Sequence, residues 1–360
     1  PPQMAERRVT LRRPSPAAYM MMGYRMPAAS HTDIPAILVA DAVLSGAKPM
    51  GLGGGSANGR SARLYRSLVS TGLARGASSS TGMHIDPFLW TFSATALPGV
   101  EPDRIEAAFE EQIDRLQTSL ASEEEFLKAR KQARAQYVYS RETVTAQAFL
   151  TGQMEIVDHA GRVDTLESEL AAVTPEDVQR VARTWLVPEG RTIGWQLAAG
   201  DGEVFAGADV PVDDVIEQEA VKPFSLERPW HLSDGIESGG SYGFQRMTLP
   251  NGIVLLTQAR PGDEAIDGTI SIEAGQTATG DLRPGVASMM ADMLNRGTAH
   301  RSFEEYNEAV DSLGAILGAG AGRRDVSVDF HSLAKDLPAV LDLVADLVRN
   351  PTFPEDELER

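Results

Sequence analysis

The sequence predicts an α+β protein with two related units, each a mostly antiparallel sheet with helices packed on one face. A strand, a polar loop and a helix recur in the same order at residues 16–46 and 267–297. Several short segments alternate apolar and polar residues, which is typical of half-buried strands, and longer segments space apolar residues three and four apart, which is typical of helices with one buried face. Helices on one side of a sheet bury both kinds of face in one core.

The elements follow one order in both units. The first unit has, in turn, a strand at 18–22, a helix between Pro35 and Gly46, a second helix at 63–68 and a strand at 88–94. The second unit has a strand at 269–272, a helix between Pro284 and Gly297, a second helix at 303–307 and a strand at 326–330. Proline in a first helical turn and glycine after a last one are common helix boundaries. We therefore expect the same topology in both units.

The clearest periodic signal is a third helix in the first unit. Its apolar face, with spacings of three and four, consists of Ile105, Phe109, Ile113, Leu116 and Leu120. Ser122 and Glu125 predict a capping box, in which each side chain satisfies the other residue's backbone donor, at the start of the next helix. The second unit repeats this succession after Pro338, and pairing Arg130 with Arg360 gives a period of about 230 residues. We expect one nearly complete unit followed by the first half of another.

A stretch of different composition separates the units. Residues 207–243 combine three prolines, a Gly-Gly pair and an acidic cluster without a sustained period, and we interpret them as a linker. The sequence thus predicts a first domain over residues 1–206 and a second over residues 244–360. Because the second domain stops early in the repeat, we expect it to be truncated and of poor stability in isolation.

The composition excludes several classes of function. The 360 residues carry 33 Lys and Arg against 51 Asp and Glu, a formal net charge of -18. This charge repels nucleic acid and anionic lipid, so no nucleic-acid partner is expected. No apolar stretch is long enough to span a bilayer. The absence of cysteine excludes a disulfide framework and a thiolate metal site, and it leaves the redox compartment open.

Other patterns have ordinary structural explanations. The six histidines contain no pair spaced three to five residues apart, which excludes a local helical metal site and leaves open one assembled from distant residues. The glycine-rich run at 51–61 lacks the Gly-Lys-Ser/Thr ending of a phosphate-binding loop, so we interpret it as a loop that caps the next helix. The run His84-Ile85-Asp86 has no nucleophile turn nearby, and adjacent residues of a strand face opposite ways, so no catalytic triad is expected.

Five phrases carry a resemblance to a known family. They are Leu249-Pro250-Asn251-Gly252-Ile253-Val254, Met293-Leu294-Asn295-Arg296-Gly297-Thr298, Asn350-Pro351-Thr352-Phe353-Pro354, Thr174-Pro175-Glu176-Asp177-Val178-Gln179-Arg180-Val181-Ala182 and Ser61-Ala62-Arg63-Leu64-Tyr65. The chain resembles the insulinase/pitrilysin family of zinc metallopeptidases, the inverzincins. The first three phrases resemble the family's opening domain, and the last two resemble its closing domain. Residues 1–206 are therefore predicted to be a closing domain, 207–243 a linker, and 244–360 a truncated opening domain.

The resemblance implies an architecture and an activity. In the family's long single-chain members, four homologous domains form two halves that close like a clamshell around a peptide chamber, and only the first domain holds the zinc. A closing domain followed by an inert opening domain resembles domains two and three of such a protein. The implied activity is that of a metalloendopeptidase acting on peptides or small unfolded proteins, with this segment forming chamber wall and linker between the halves.

The helix that resembles the family's zinc helix has lost its ligands. The family pattern is His-x-x-Glu-His, in which two histidines hold zinc and the Glu acts as general base. The matching positions here hold Ser288, Ala291 and Asp292. A hydroxyl is a poor zinc ligand, one carboxylate is too few ligands, and alanine offers no base. The residues alone predict an amphipathic helix whose core face consists of Val286, Met289, Met290, Met293 and Leu294.

Other functional residues of the family cannot be carried over. The third zinc ligand, a Glu far downstream of the zinc helix, would fall beyond Arg360. The positions nearest to the Arg and Tyr that active closing domains use are Val69 and Arg75, and neither matches. The sequence therefore predicts no catalytic, cofactor-binding or metal-binding residue in this chain, with zinc bound upstream of it in the full-length protein.

Two classes of function remain. In the first, the chain is a non-catalytic part of a zinc metalloendopeptidase, with peptide substrates and the remaining domains of the same protein as partners. In the second, it belongs to a wholly inactive homologue that acts as a structural or partner subunit beside a homologous subunit. The Ala- and Arg-rich composition and the tandem repeat favour the first class and a bacterial source. The compartment stays open between the bacterial periplasm and cytoplasm, with the periplasm slightly favoured. A His-x-x-Glu-His helix encoded upstream of Pro1 would decide between them.

Overall fold

The computed structural model describes residues 3–50, 59–198, 243, 245–280 and 285–358. The described residues up to 198 and from 264 onward form one compact unit, and those from 243 to 263 belong to a second one. The described stretches of the first unit contain a five-stranded and a three-stranded sheet. Mixed α/β architecture with mainly antiparallel sheets confirms the predicted fold class.

The five-stranded sheet consists of β1 (Arg7–Arg13), β2 (Tyr19–Met26), β3 (Ala74–Ser80), β4 (Phe88–Ala96) and β5 (Thr192–Ala198). Its order is β1-β5-β2-β4-β3. Only the β1 and β5 pair is parallel among these described strands. Along β2, Met20, Met22 and Tyr24 are buried while Tyr19 and Met21 are exposed. This alternation is the period of two that a sheet covered on one face requires.

The helices that follow these strands are α1 (Ile34–Ser45), α2 (Pro102–Thr118), α3 (Glu123–Tyr139), α4 (Val144–Val157), α5 (Arg162–Ala172) and α6 (Pro175–Trp185), with a π-helical turn at Tyr65–Val69. α1 ends at Gly46, whose φ of 78° lies in the region that favours glycine. α6 begins with a capping box in which Thr174 and Asp177 satisfy each other's backbone donors. The predicted helix between Pro35 and Gly46 is confirmed by α1.

The second compact unit contains a two-stranded sheet. Its strands are β6 (Gln245–Thr248) and β7 (Val254–Thr257), which pair antiparallel. Gly252 between them has a φ of 87°, and Asn251 Oδ1 accepts a hydrogen bond from the Ile253 amide at 3.2 Å. Asn251 and Gly252 therefore form the turn between the two strands.

The three-stranded sheet repeats part of the five-stranded one. Its strands are β8 (Ala265–Ile272), β9 (Ile316–Ala321) and β10 (Val326–Leu333), and its helices are α7 (Val286–Leu294), α8 (Phe303–Leu313), α9 (Leu337–Arg349) and α10 (Glu355–Leu358). The order β8-β10-β9 matches β2-β4-β3 in the first sheet, with antiparallel pairs in both. The predicted repeat of topology is therefore present. The domain limits 1–206, 207–243 and 244–360 stay a prediction, since only Gly243 of the linker lies within the described residues.

The two sets of helices meet where α8 packs against α3. Buried Asp311 on α8 accepts hydrogen bonds from the amide and hydroxyl of Ser61, at 3.0 and 2.6 Å. Lys128 on α3 donates to the Ser61 hydroxyl at 3.0 Å and to Glu308 at 2.7 Å. We call Ser61, Lys128, Glu308 and Asp311 the junction network. It connects the first sheet's helices to those of the second through polar groups that are largely withdrawn from water.

Two local expectations are wrong. The capping box of α3 is only half formed, because Ser122 accepts the Glu125 amide at 3.2 Å while the Glu125 carboxylate binds the Arg63 guanidinium through two contacts of 2.7 Å. A charged guanidinium is a stronger partner for a carboxylate than a backbone amide. Leu120 does not belong to the buried face of α2, since the helix ends at Thr118 and Leu120 is 47% exposed.

Candidate functional site

The helix that resembles the family's zinc helix is α7. It follows Gly285, whose φ of 94° favours glycine. Its buried residues are Ala287, Ala291, Met293 and Leu294. Val286 and Met289 are 37% and 56% exposed, so the predicted core face is wrong for these two residues. α7 also ends at Leu294, earlier than the predicted end at Gly297.

The three motif positions on α7 lie in different surroundings. Ser288 is half-buried, Ala291 is fully buried and Asp292 is exposed. Ala291 belongs to the apolar cluster of the second sheet, together with Leu294 and Tyr306. Ser288 and Asp292 are one helical turn apart, but they offer one hydroxyl and one carboxylate. α7 therefore has neither the ligand pair that would hold zinc nor a base that would activate water.

The equivalent helix of the first sheet, α1, uses its carboxylate for structure. Asp41 is 2% exposed and accepts hydrogen bonds from the Trp90 indole at 2.8 Å and from the Ser79 hydroxyl. Lys48 Nζ lies 3.8 Å from the Asp41 carboxylate. Burial lowers the pKa of the Lys48 ammonium, and the charge of Asp41 acts in the opposite direction. Asp41 thus connects α1 to β3 and β4, and it is not free to act on a substrate.

One group of side chains in the described part of the chain has the spacing of metal ligands. It consists of Glu142, Asp267 and His331, and it lies on neither α7 nor α1. His84 lies in the loop before β4, and not in a strand as expected; its ring is tilted by 42° against that of Phe88, with the centroids 4.0 Å apart. Of the glycine-rich run at 51–61, residues 51–58 lie outside the described residues.

A hollow of about 680 Å³ lies on the face of the five-stranded sheet that the helices leave open. Its lining includes Val9, Leu11, Tyr19 and Met21, which are 51%, 48%, 40% and 62% exposed. We call these four residues the open face. Grouped exposed apolar side chains are typical of a surface that contacts another chain. This surface is not predicted from the sequence, because β1 is not among the predicted strands.

No described helix has both the length and the apolar character that crossing a bilayer requires. The described stretches thus combine a repeated α/β topology, two equivalent helices without zinc ligands and an open apolar sheet face. These features define a class: an α/β repeat that keeps a metallopeptidase frame without its metal ligands.

Comparison with sequence families agrees with this class. Residues 1–133 match the model of the peptidase M16 inactive domain. Residues 254–360 match the model of the insulinase domain of peptidase family M16. The match to the inactive domain precedes the match to the insulinase domain along the chain. The chain belongs to the insulinase family of zinc metallopeptidases, peptidase family M16.

Individual proteins give the extent of the likeness. A solved protease from Helicobacter pylori is 18% identical with a TM-score of 0.50, covering 55% of this chain and 45% of that one, which is a likeness of fold. The mitochondrial-processing peptidase subunit beta of Lentinula edodes is 29% identical over 113 residues, 31% of this chain and 24% of that protein. An uncharacterised zinc protease of Mycobacterium tuberculosis is 30% identical over 115 residues, 32% of this chain and 26% of that protein. The matched part is about a quarter of these relatives' length.

Proposed function

We propose that this chain is a non-catalytic part of a zinc metalloendopeptidase, in which it forms chamber wall and the connection between the two halves. The observation that carries the proposal is α7, where Ser288, Ala291 and Asp292 replace the ligand pair and the base. The match of residues 1–133 to an inactive domain supports it. In this proposal the zinc is held by another domain of the full-length protein, upstream of Pro1.

The open face supports contact with peptide substrates. The helices cover the opposite side of the five-stranded sheet, so the exposed side chains of the open face are not part of the hydrophobic core. Peptides and unfolded proteins expose apolar segments that a folded protein buries, and contact with an apolar surface removes those segments from water. The open face therefore favours extended, apolar substrates over folded proteins.

The absence of catalysis can be measured directly. After chelation and reloading with Zn²⁺, the chain of 360 residues should leave an unfolded test protein and a set of fluorogenic peptides intact, as followed by mass spectrometry and fluorescence. Turnover that chelation abolishes but that persists in both the Ser288→Ala and the Asp292→Asn variant would overturn the proposal. The chain would then hold a catalytic centre that α7 does not explain. Turnover lost in either variant would also overturn it, by showing that α7 is active.

Binding to the open face needs its own assay. Fluorescence anisotropy of a labelled, extended apolar peptide should show binding that the Leu11→Asp/Met21→Asp double variant weakens by about tenfold or more, since buried charge is costly. Val144→Asp is a matched control, because Val144 is 83% exposed on α4 and lies outside the open face. Circular dichroism checks that all variants fold. Equal affinity of the double variant and the control would contradict substrate contact at the open face.

The alternative function is that of a structural or partner subunit in a wholly inactive homologue. The name of the Lentinula edodes relative, a processing peptidase subunit, supports this alternative. The two functions differ in what the complete gene encodes before Pro1. A His-x-x-Glu-His helix there supports the metalloendopeptidase, and its absence from a complete gene supports the partner subunit.

A further inference from the structure

Three potential metal ligands converge at the end of α3, outside the motif positions of α7. One nitrogen of His331 and one carboxylate oxygen each of Glu142 and Asp267 lie within 4.8 Å of one another. His331 Nε2 is 2.6 Å from Glu142 Oε1, and His331 Nδ1 is 3.8 Å from Asp267 Oδ1. Histidine and carboxylate side chains are the oxygen and nitrogen ligands that zinc takes in proteins without cysteine.

Regular structure positions all three groups. His331 on β10 stands directly opposite Asp267 on β8 in the antiparallel register, so the two side chains share one face of the sheet. Glu142 follows the end of α3. The ring of Tyr139, in the last turn of α3, lies against the His331 ring with centroids 3.8 Å apart, and its hydroxyl donates to the Gly314 carbonyl at 2.9 Å. The imidazole is therefore held in place before any ion arrives.

The charge at this place is negative. Glu142 and Asp267 place two carboxylates beside the imidazole of His331. Two cations of this region are engaged elsewhere, since Lys131 pairs with Asp336 at 2.9 Å and Arg134 pairs with Glu167 and Glu264. Two carboxylates at one place carry a net charge of about -2, which a divalent cation would neutralise.

We propose that Glu142, Asp267 and His331 bind a divalent cation of the zinc class, which joins β8 and β10 to the end of α3. Tetrahedral ligands at about 2.0–2.2 Å from zinc lie about 3.3–3.6 Å from one another. One nitrogen of His331 and one oxygen from each carboxylate now lie within 4.8 Å of one another, so side-chain rotation would have to bring them onto a common ion. Asp267 is 72% exposed on its side chain, which gives the ion a route from solvent and leaves room for water as a further ligand. The site departs from the expectation, drawn from sequence alone, that this chain binds no metal.

A proton is the competing occupant. A protonated His331 would bridge both carboxylates without any metal, because its two nitrogens face different carboxylates. The two occupants differ in a direct measurement. A metal site takes up one ion per chain, whereas a proton bridge takes up none.

The test uses the whole chain of 360 residues after removal of metal by chelation. Calorimetric titration with ZnCl₂ should give one ion per chain, and Co²⁺ in its place should give the visible absorption of a low-coordinate site. Loss of a hydrogen-bond partner outside the ligand shell weakens metal binding by about 10- to 100-fold. Loss of a ligand should cost more than that, so we expect a larger drop in zinc affinity in each of the variants His331→Gln, Asp267→Asn and Glu142→Gln. Zinc should raise the Tm of the wild type and not that of His331→Gln.

The controls come from this chain. His300 is 66% exposed on its side chain and lies 3.9 Å from one carboxylate, Asp346, so His300→Gln removes a histidine beside an acid without touching the cluster and should leave binding unchanged. Asp292→Asn on α7 should leave it unchanged as well. The proposal is overturned by no uptake of zinc in the wild type, by unchanged affinity in His331→Gln, or by loss of binding in Asp292→Asn, which would place the ion on α7.

Discussion

The five-stranded and three-stranded sheets share a topology, but they bury cores of unequal size. Around the five-stranded sheet, the fully buried side chains include Trp90, Tyr24, Tyr137 and Phe92. The core of the three-stranded sheet consists mainly of smaller side chains such as Val328, Val340 and Leu347. The first sheet also has β1 and β5, which have no counterpart beside β8 in the described sheet order. One topology can thus support a large core and a small one. We expect the stability of the small core to depend more strongly on the junction network.

Matched substitutions in the two cores give the largest expected effect. Leu44 on α1 and Leu347 on α9 are both 0% exposed. Leu→Ala at such positions costs about 2–5 kcal/mol of unfolding free energy. We expect Leu44→Ala near the upper end, because the dense core cannot close around the cavity, and Leu347→Ala near the lower end. Urea unfolding of the whole chain measures both.

The exposed Leu120, at 47%, provides the control for this pair, and Leu120→Ala should stay within about 0.5 kcal/mol of the wild type. Equal costs for Leu44→Ala and Leu347→Ala would show that the two cores are packed equally well. The two cores would then differ in the number of buried side chains and not in packing density.

Hydrogen exchange compares the same regions without mutation. Amides in residues 285–348 should exchange about tenfold faster or more than those in residues 102–140, because a smaller core gives a lower free energy of local opening. Mass spectrometry of peptic fragments measures both regions in one experiment. Equally slow exchange would show that the second sheet and its helices are self-sufficient, and the expectation of a truncated, poorly stable domain would be wrong.

A change in the junction network should have an intermediate effect. Ser61→Ala removes the hydroxyl that donates to Asp311 at 2.6 Å, which leaves a buried carboxylate with one partner fewer. Such a loss costs about 1–3 kcal/mol. Ser168→Ala is the control, because the Ser168 hydroxyl is exposed and donates only to the Thr165 carbonyl in its own helix. Similar stability of the two variants in urea unfolding would show that the junction network contributes little.

The pH dependence of stability should show the smallest effect. Burial raises the pKa of Asp311 above its ordinary value of 3.8, and hydrogen bonds from Ser61 act against this rise. The folded chain therefore keeps this proton where the unfolded chain has released it, so the contribution of Asp311 is complete below about pH 4 and is lost as the pH rises through the raised pKa.

Asp311→Asn cannot ionise, so stability should fall less between about pH 4 and pH 7 in this variant than in the wild type. Asp292→Asn, an exposed change on α7, should follow the wild type. Urea unfolding at several pH values measures the difference. Parallel curves for Asp311→Asn and the wild type would contradict a raised pKa.

The repeat could be predicted from the sequence because it depends on local patterns. Strand alternation, helix faces and glycine boundaries are set by neighbouring residues. β1 could not be predicted, since all its residues are exposed and its parallel partner β5 lies far along the chain. α4 was missed because only Leu150 and Met154 of its residues are buried, which gives a weak period.

One of the candidate sites can likewise be predicted from local sequence, and the other cannot. The loss of ligands at Ser288, Ala291 and Asp292 is visible as a local pattern, and it was predicted. The cluster of Glu142, Asp267 and His331 depends on strand register and on the packing of α3, neither of which residue spacing reveals. The exposure of Met289 was also hidden, because an apolar helix does not show which of its faces a sheet will cover.

The junction network has a consequence for proteolysis. It joins Ser61 and Lys128 to Glu308 and Asp311 through space, so the peptide connection between positions 198 and 243 is not what holds these helices together. Cleavage of that connection would turn the association of the two fragments from an intramolecular into an intermolecular one, which lowers their effective concentration. It would not remove the contacts of the junction network. We therefore expect the fragments of a nicked chain to stay associated under native conditions, and two separately produced fragments to complement each other in trans.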